Sequence, residues 1–426
     1  MVVPVVFIPG ILSSVPTVIF GKNSFSFGFS KFIYQPFLDK IQDIGFEINK
    51  NFFICHYEWW EPNEVSAKKY LVPKIREATL KNGTKKVIII AHSMGGLVAR
   101  SYVQSDFYQR DVEKIIMLGT PNAGAANAYY PWQGATLSPS EYFDVFRLLL
   151  KGFLWIFAKV TGIQKPIEVV RKCIPSIKQL LPCRDYGDYL IEHKGDTISK
   201  ITYDQVREKN SFLDELNKNA HLIKERGIDL FLISGKENYT AKFIQVDRRF
   251  TFEDDRWIDG VPVGEISIKE GDGTVLVDSV NCILGEKIII EGDHTSILVG
   301  SLYNVADILG ISSKDIKVDE IKKFDLEDFL SVITYHDAES NFKNLPEEDR
   351  VKITIFNKFD WHLIRNPGKN EYIFEVKAKG RDIPVFVDAY TAEKGVDYTI
   401  KESLSLEDRV YLNIKYERGK KLEVLR

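Results

Sequence analysis

Three side chains of the sequence have the types and the order that serine-based acyl transfer needs. A serine hydroxyl becomes a good nucleophile when a base takes its proton and a carboxylate holds that base in place. Ser93 lies in Ala91-His-Ser-Met-Gly-Gly96, where small residues surround a serine that follows an apolar run. The pattern is one residue away from G-x-S-x-G, which exposes a serine on a sharp turn between a strand and a helix. The departure is Ala91, which adds a single methyl group where the pattern has glycine.

One histidine after Ser93 has the surroundings of a catalytic base. The histidines that follow the serine are His193, His221, His294, His336 and His362. The first two lie in a segment with helical signals and polar neighbours, and the last two lie beyond the point where a sheet should close. His294 follows an apolar strand and precedes a helix, which is where the base of a Ser–acid–His order belongs. We therefore expect His294 to take the proton of Ser93.

The acid is less constrained by the sequence. Asp272 lies between two glycines in Glu270-Gly-Asp-Gly-Thr274, a tight turn that could aim its carboxylate at His294 Nδ1. Glu237 follows a predicted strand and is the second candidate. Asp293 is adjacent to the histidine, and we expect it to cap the following helix instead. An ordinary turn or capping role is expected for Asp278.

Two backbone amides are candidates for stabilising the oxyanion. The helix that begins behind Ser93 directs N–H groups towards a developing negative charge, and Met94 supplies the nearest of them. The loop after the first strand contains Pro9-Gly10, where glycine lets the backbone pass close to the serine. By position, Ile11 N–H is the second donor.

The elements that must position these groups alternate between strands and helices. Continuous apolar strands separated by helices indicate a mostly parallel sheet with helices on both faces, and reactive groups then lie beyond the carboxyl ends of the strands. A hairpin excursion is predicted over 240–270. Strands are predicted over 2–8, 51–56, 85–91, 112–118, 229–235 and 287–291, and helices over 31–44, 64–81, 95–107 and 296–309.

The remaining segments interrupt or follow this core, which we assign to 1–124 and 226–311. Residues 125–225 have helix-like segments and no clear strand, so we expect a helical cap or lid; its most apolar helix, over 146–159, either packs on the main body or forms a mobile lid. A charged linker is predicted over 312–345. Period-two alternation over 346–426 predicts a small antiparallel β-sandwich.

The composition narrows the class of protein further. A net charge of −3 over 426 residues gives no reason to expect nucleic acid as a partner. The spacing of Cys and His matches no zinc site, and no motif implies a cofactor or a metal. Cys173 and Cys183 could pair in an oxidising compartment, and the sequence leaves this open. No signal peptide is visible, so the protein is either cytoplasmic or secreted after removal of a signal.

Several separate motifs resemble the α/β-hydrolase lipases, particularly the branch of lecithin:cholesterol acyltransferase and lysosomal phospholipase A2. The Ala-His-Ser-Met-Gly-Gly turn is similar to that of Bacillus-type lipases, which also have alanine first. The resemblance covers about residues 1–310. The segments that carry it are Pro4–Ser14, Ala91–Gly96, Gly119–Gly124, Pro175–Pro182 and Gly271–Val275.

The resemblance implies an α/β-hydrolase fold and assigns the acid role to Asp272, the base role to His294 and one oxyanion donor to Ile11. The reaction expected is cleavage of a carboxylic ester through an acyl-enzyme. Aromatic residues in the insertion favour a fatty acyl group, and a cap of this kind would allow transient contact with a lipid surface. These aromatic residues are Tyr129, Tyr130, Trp132, Phe153, Trp155 and Phe157.

Two other functions stay open at this point. The acyl-enzyme can be discharged by a lipid alcohol instead of water, which would make the protein an acyltransferase. Alternatively, the C-terminal sandwich is the working part of a binding protein. The sequence does not define the acyl length, the head group or the oligomeric state.

Overall fold

The structure is a computed structural model, in which the chain divides into two compact units. The residues that it describes are 3–19, 22–138, 144–194, 197–250, 252, 255–311, 328–346, 350–368, 370–377, 383–390, 409–417 and 422–425. Unit 1 comprises the described parts of Met1–Ser14, Ser30–Ser138 and Ile167–Phe324, and unit 2 those of Val15–Phe29, Pro139–Pro166 and Asp325–Arg426.

Strands and helices alternate through unit 1, whereas strands dominate the end of the chain. The helices are α1 (Lys31–Asp43), α2 (Asn63–Ser66), α3 (Val72–Asn82), α4 (Gly95–Val103), α5 (Tyr129–Gly134), α6 (Asp144–Thr161), α7 (Pro166–Cys173), α8 (Ser211–Lys218), α9 (His221–Glu225), α10 (Val277–Val280), α11 (Ile297–Gly300) and α12 (Leu302–Ile308). The strands are β1 (Val5–Ile8), β2 (Val15–Ile19), β3 (Lys22–Ser26), β4 (Phe52–Ile54), β5 (Val87–His92), β6 (Val112–Leu118), β7 (Leu190–Lys194), β8 (Thr197–Ile201), β9 (Asp229–Lys236), β10 (Thr240–Asp247), β11 (Val261–Ile268), β12 (Glu286–Glu291), β13 (Phe329–Tyr335), β14 (Glu339–Phe342), β15 (Arg350–Ile355), β16 (Phe359–Arg365), β17 (Asn370–Lys377), β18 (Phe386–Tyr390), β19 (Arg409–Tyr416) and β20 (Glu423–Leu425).

The core of unit 1 is a six-stranded sheet in the order β12-β9-β6-β5-β1-β4. Every neighbouring pair in it is parallel. All six residues of β5 are buried, as expected for a strand that is covered on both faces. The six strands predicted for this sheet are all observed, and helices α3, α4 and α11 pack against it. The α/β-hydrolase fold is therefore confirmed.

A second sheet in unit 1, β11-β10-β7-β8, corrects one expectation. Its hairpin β10–β11 was predicted, but β7 and β8 lie in the insertion where no strand was expected. These two strands are short, and their buried residues Leu190 and Ile201 join the cluster around Ile244. So few apolar positions leave no period-two pattern in the sequence.

Unit 2 contains the predicted antiparallel sandwich. Its sheets have the orders β15-β16-β13-β18 and β14-β17-β19-β20, and buried side chains of both sheets form one cluster. Strands β13 and β14 lie within 312–345, so the predicted linker is wrong for the residues of these strands. The apolar run of β13 is buried at six of its seven positions because it is an inner strand. The part of the linker at 312–327 lies outside the described residues.

The most apolar helix of the insertion, α6, packs within unit 2. The Phe153 ring lies 5.5 Å from Trp361, and the Trp155 ring lies 5.8 Å from Phe359, measured between centroids. This differs from both expected placements, on the main body or as a mobile lid, because the wide apolar surface of the helix covers aromatic side chains of β16. The division of the chain into core, cap and sandwich stays a prediction. No helix among the described residues is long and apolar enough to cross a membrane.

A fully buried arginine fixes α4, the helix behind Ser93. Arg100 donates to Gln104 Oε1 at 2.9 Å and to Asn122 Oδ1 at 3.1 Å. It also donates to Leu216 O at 3.1 Å and to Asn217 Oδ1 at 2.8 Å. Burial lowers the pKa of Arg100 to about 10, which leaves it charged at neutral pH. The side chain therefore joins α4 to the segment after β6 and to α8.

Replacing this arginine should destabilise the protein strongly. Arg100→Met leaves several buried oxygens without donors, so we expect the free energy of unfolding to fall by about 3 kcal/mol or more. Urea unfolding followed by tryptophan fluorescence measures the loss. The matched control is Arg76→Met on the exposed side of α3, for which we expect a change within about 0.5 kcal/mol. Equal effects of the two substitutions would contradict the role given to Arg100.

Candidate active site

Ser93 lies on a sharp turn between β5 and α4. Its φ is +55°, a value that residues other than glycine rarely adopt, and the residue is buried, with 7% exposure. A turn of this kind lifts the hydroxyl out of the strand and away from the sheet hydrogen bonds. The preceding Ala91 is fully buried between Ile8 and Met117, its register partners in the neighbouring strands. The extra methyl group is thus accommodated.

Glycines allow the backbone segments around the turn to approach each other. A Cβ at Gly95 would lie 2.4 Å from Ile8 O, and a Cβ at Gly96 would lie 2.0 Å from Thr120 Oγ1. A Cβ at Gly10 would lie 2.9 Å from Ser93 Cβ. The helix start, the first loop and the serine are therefore in direct contact.

Three of the predicted site residues form one hydrogen-bonded chain. Ser93 Oγ lies 2.9 Å from His294 Nε2, and His294 Nδ1 lies 2.8 Å from Asp272 Oδ2. All three side chains are buried or nearly so, and Asp272 is 1% exposed. A carboxylate facing Nδ1 holds the proton on that nitrogen, which leaves Nε2 free to accept the serine proton.

The turn at Asp272 directs its carboxylate. Oδ1 accepts from the backbone N–H groups of Thr274 at 2.9 Å and Val275 at 2.7 Å, which leaves Oδ2 for His294. The carbonyl of Asp272 also accepts from His294 N at 2.8 Å, so the two residues are joined through backbone and side chain. Gly273, with φ +90°, permits the turn.

The other acidic candidates are placed differently. Asp293 Oδ1 accepts from the backbone N–H groups of Thr295 and Ser296, both at 2.9 Å, immediately before α11. Burial raises the pKa of Asp293, but these hydrogen bonds outweigh it and lower the pKa below its usual value. Asp293 thus stabilises the turn that leads into α11, whereas the residue at the N-cap of this helix is Ser296. Glu237 is half exposed and its carboxylate lies 3.8 Å from Lys236 Nζ.

The remaining histidines after Ser93 have other partners where the structure describes their side chains. The ring of His221 is exposed and lies 3.1 Å from Lys218 O. His336 Nδ1 lies 2.8 Å from Asp360 Oδ1, and His362 is buried in the core of the sandwich. The side chain of His193 lies outside the described residues.

The loop that contains Ile11 is held by hydrogen bonds on both sides. Tyr57 Oη donates to Pro9 O at 2.9 Å, and Ser30 Oγ donates to Leu12 O at 3.0 Å. The hydroxyl of Ser13 donates to Gly10 O. A peptide group is planar and trans, so a fixed Gly10 carbonyl directs Ile11 N–H to the opposite side. Met94 precedes the first residue of α4, where backbone N–H groups lack helical partners.

Two buried residues at this site were missed by the sequence reasoning. His92 forms hydrogen bonds to Tyr34 Oη at 2.9 Å and to His294 O at 2.8 Å. The position of His92 directly before Ser93 was a usable signal. Tyr34 is at a core-facing position of α1, where an aromatic residue is typical of ordinary packing.

In the part of the chain that the structure describes, neither a cluster of metal-ligating side chains nor the suggested disulfide is present. Within the described ranges, no group of three or more His, Cys, Asp or Glu side chains could hold a metal ion. Cys183 is a buried free thiol, so it does not pair with Cys173 here. Burial raises the pKa of Cys183 to about 11, which keeps it protonated at neutral pH.

The close approach at Gly95 gives a test of the site architecture. Gly95→Ala puts a methyl group against two backbone carbonyls, those of Ile8 and Pro9, which cannot rotate away. We expect the free energy of unfolding to fall by about 1–3 kcal/mol, although alanine favours helices.

The matched control is Gly227→Asn, where φ is +69° and nothing lies within 4 Å of the added Cβ. Asparagine tolerates this conformation, so the expected loss is below about 1 kcal/mol. Urea unfolding of both variants is the measurement. A Gly95→Ala variant as stable as the wild type would contradict the described contact.

One family model matches part of the chain. Residues 22–134 match the family model described as lecithin:cholesterol acyltransferase. No curated protein sequence matches the chain significantly.

Solved structures similar to the chain include lipases and esterases. The mature form of Bacillus licheniformis lipase BlEst2 is 15% identical, with a TM-score of 0.38, over 72% of this chain and 92% of that chain. Its propeptide form is 11% identical, with a TM-score of 0.40, over 100% and 96%. Naproxen esterase from Bacillus subtilis is 12% identical, with a TM-score of 0.32, over 73% and 84%. The resemblance to the lecithin:cholesterol acyltransferase branch of the α/β-hydrolases, inferred from the motifs, is confirmed by the match over residues 22–134.

Proposed function

We propose that the protein is a serine carboxylic-ester hydrolase that acts through an acyl-enzyme on fatty-acyl esters. The observation that carries this proposal is a pair of linked hydrogen bonds: Ser93 Oγ lies 2.9 Å from His294 Nε2, and His294 Nδ1 lies 2.8 Å from Asp272 Oδ2. The strained turn at Ser93 supports it independently, since such turns recur at the nucleophiles of this fold.

In the proposed reaction, Ser93 Oγ attacks the ester carbonyl while His294 Nε2 takes the hydroxyl proton. The resulting oxyanion accepts hydrogen bonds from the amides of Ile11 and Met94, and one such donor contributes on the order of 3 kcal/mol to transition-state stabilisation. Asp272 stabilises the imidazolium form of His294.

Collapse of the tetrahedral intermediate breaks the bond to the alcohol, which leaves with the proton from His294. The acyl group remains on Ser93 Oγ. Water then attacks the acyl-enzyme while His294 again acts as base. This step releases the carboxylic acid and regenerates the free serine.

The family match, and not the aromatic residues of the insertion, supports the assignment of a fatty-acyl substrate. Tyr129 and Tyr130 belong to the core cluster of unit 1, and Trp132 is 6% exposed. Phe153 and Trp155 pack within unit 2. Core packing therefore accounts for these side chains, and the fatty-acyl assignment depends on the resemblance to lecithin:cholesterol acyltransferase.

The same match favours acyl transfer as a second candidate. A transferase and a hydrolase share the steps up to the acyl-enzyme and differ in the group that discharges it. A panel of p-nitrophenyl esters of increasing acyl length, assayed with and without a long-chain alcohol, separates them. Free acid as the main product in both conditions supports hydrolysis, whereas a new ester formed from the alcohol supports transfer.

Removing the nucleophile should abolish the activity without unfolding the protein. For Ser93→Ala we expect kcat/KM on p-nitrophenyl esters to fall by about 10⁴-fold or more. Circular dichroism and thermal unfolding verify the fold. Ser105→Ala, which removes a hydroxyl that donates to Tyr102 O just after the end of α4, should keep full activity. Activity of the wild-type level in Ser93→Ala would refute the mechanism.

The two candidate acids can be ranked by matched amide substitutions. Asp272→Asn places an amide opposite Nδ1 and no longer stabilises the imidazolium, so we expect kcat to fall by about 10⁴-fold. Glu237→Gln alters a half-exposed side chain and should change kcat by less than about twofold. Steady-state kinetics on one ester measures both variants. The reverse ranking would transfer the acid role to Glu237.

A further inference from the structure

Three hydrogen bonds connect the oxyanion loop to the loop of the proposed base. Gly10 N donates to Tyr34 Oη at 2.9 Å, and Tyr34 Oη lies 2.9 Å from His92 Nδ1. His92 Nε2 lies 2.8 Å from the backbone oxygen of His294. The four residues come from the loop after β1, from α1, from the end of β5 and from the loop after β12.

The direction of each bond follows from the chemistry of its partners. The His294 carbonyl oxygen can only accept, so His92 Nε2 carries a proton. Burial lowers the pKa of His92 to about 3, with the nearby His294 adding to the effect, so the ring is neutral at neutral pH. A neutral ring has one N–H, and therefore Nδ1 accepts from the Tyr34 hydroxyl. Burial raises the pKa of Tyr34, which keeps that hydroxyl protonated.

This series of hydrogen bonds fixes the backbone on both sides of the position that the reacting carbonyl would occupy. At one end it holds Gly10, the residue before the proposed donor Ile11, and the Gly10 carbonyl is already held by Ser13. At the other end it holds the backbone of His294, whose ring faces Ser93. A change of about 1 Å in such a distance can cost two orders of magnitude in rate.

We propose that Tyr34 and His92 are positioning residues, which set the distance between the oxyanion donors and His294 in the reaction proposed above. The inference rests on that proposed function, because it assigns to both residues an effect on turnover. This role requires neither side chain to contact the substrate or to pass a proton to it. Their contribution is to the geometry of the transition state, so kcat falls when the chain is broken and KM changes little.

Tyr34→Phe tests the inference with the loss of a single oxygen atom. We expect kcat on a p-nitrophenyl ester to fall by about 10- to 100-fold and KM to change by less than about twofold. The matched control is Tyr102→Phe, which removes another buried tyrosine hydroxyl, bonded to Asp111 Oδ1 at 2.7 Å. It should lower the unfolding temperature similarly while leaving kcat within about twofold. Equal kcat values for the two variants would overturn the inference.

Substitutions of His92 test whether the two residues act in one chain. His92→Leu removes both hydrogen bonds, whereas the amide of His92→Gln can still donate towards the His294 carbonyl, so we expect kcat to recover partly in the glutamine variant. If the residues act in series, adding Tyr34→Phe to His92→Leu lowers kcat no further. Additive losses, or a glutamine variant no better than leucine, would overturn the series arrangement.

The outcomes separate this inference from the proposed function. An active wild type with an unchanged Tyr34→Phe variant overturns the inference alone. A wild type without activity on the whole ester panel overturns the proposed function, and the positioning role with it. If His92→Leu does not fold, the comparison of Tyr34→Phe with Tyr102→Phe still decides the result.

Discussion

The arrangement of the site depends on the close contact of backbone segments at Ser93. The serine has φ +55°, and the start of α4 approaches the carbonyls of Ile8 and Pro9 so closely that a methyl group at Gly95 would lie 2.4 Å from one of them. This contact brings the first loop against the serine and puts the free N–H groups of α4 beside it. One packing constraint thereby determines the positions of the hydroxyl, of both proposed oxyanion donors and of the helix start. The hydrogen bonds around Pro9, Gly10 and Leu12 then keep the loop in place.

The sequence predicted the parts of the fold in which burial alone determines the pattern. Strand β6, for example, ends in the buried apolar residues Ile115–Leu118, as expected where both faces of a sheet are covered, and its predicted limits 112–118 are the observed ones. Strands β7 and β8 were missed because their apolar contribution is small. The helix over 146–159 was recognised as apolar, but periodicity identifies only the wide apolar surface and not its partner. That partner, the aromatic group at Trp361, is more than 200 residues away in the sequence.

The candidate site was predictable for a different reason. Its three side chains occupy turns and loop positions with local signatures: small residues around Ser93, glycines around Asp272 and a strand–helix junction at His294. The choice between Asp272 and Asp293 was also local, because an acid directly before a helix finds backbone donors there. By contrast, the link through Tyr34 depends on which helix face meets which loop. An aromatic side chain at a buried helix position has the same sequence pattern whether its hydroxyl is used or not.

Two histidines lie side by side at this site, and they have different hydrogen-bond partners. The rings of His92 and His294 are 4.9 Å apart between centroids, so a positive charge on both would be strongly unfavourable in a buried setting. Only His294 has a carboxylate as partner, at 2.8 Å, whereas His92 faces a carbonyl and a hydroxyl. Burial keeps His92 neutral, with a pKa of about 3, and a neutral neighbour does not oppose the charge that His294 acquires in the proposed reaction. The same physical property that prevents His92 from acting as a base therefore suits it to stand next to one.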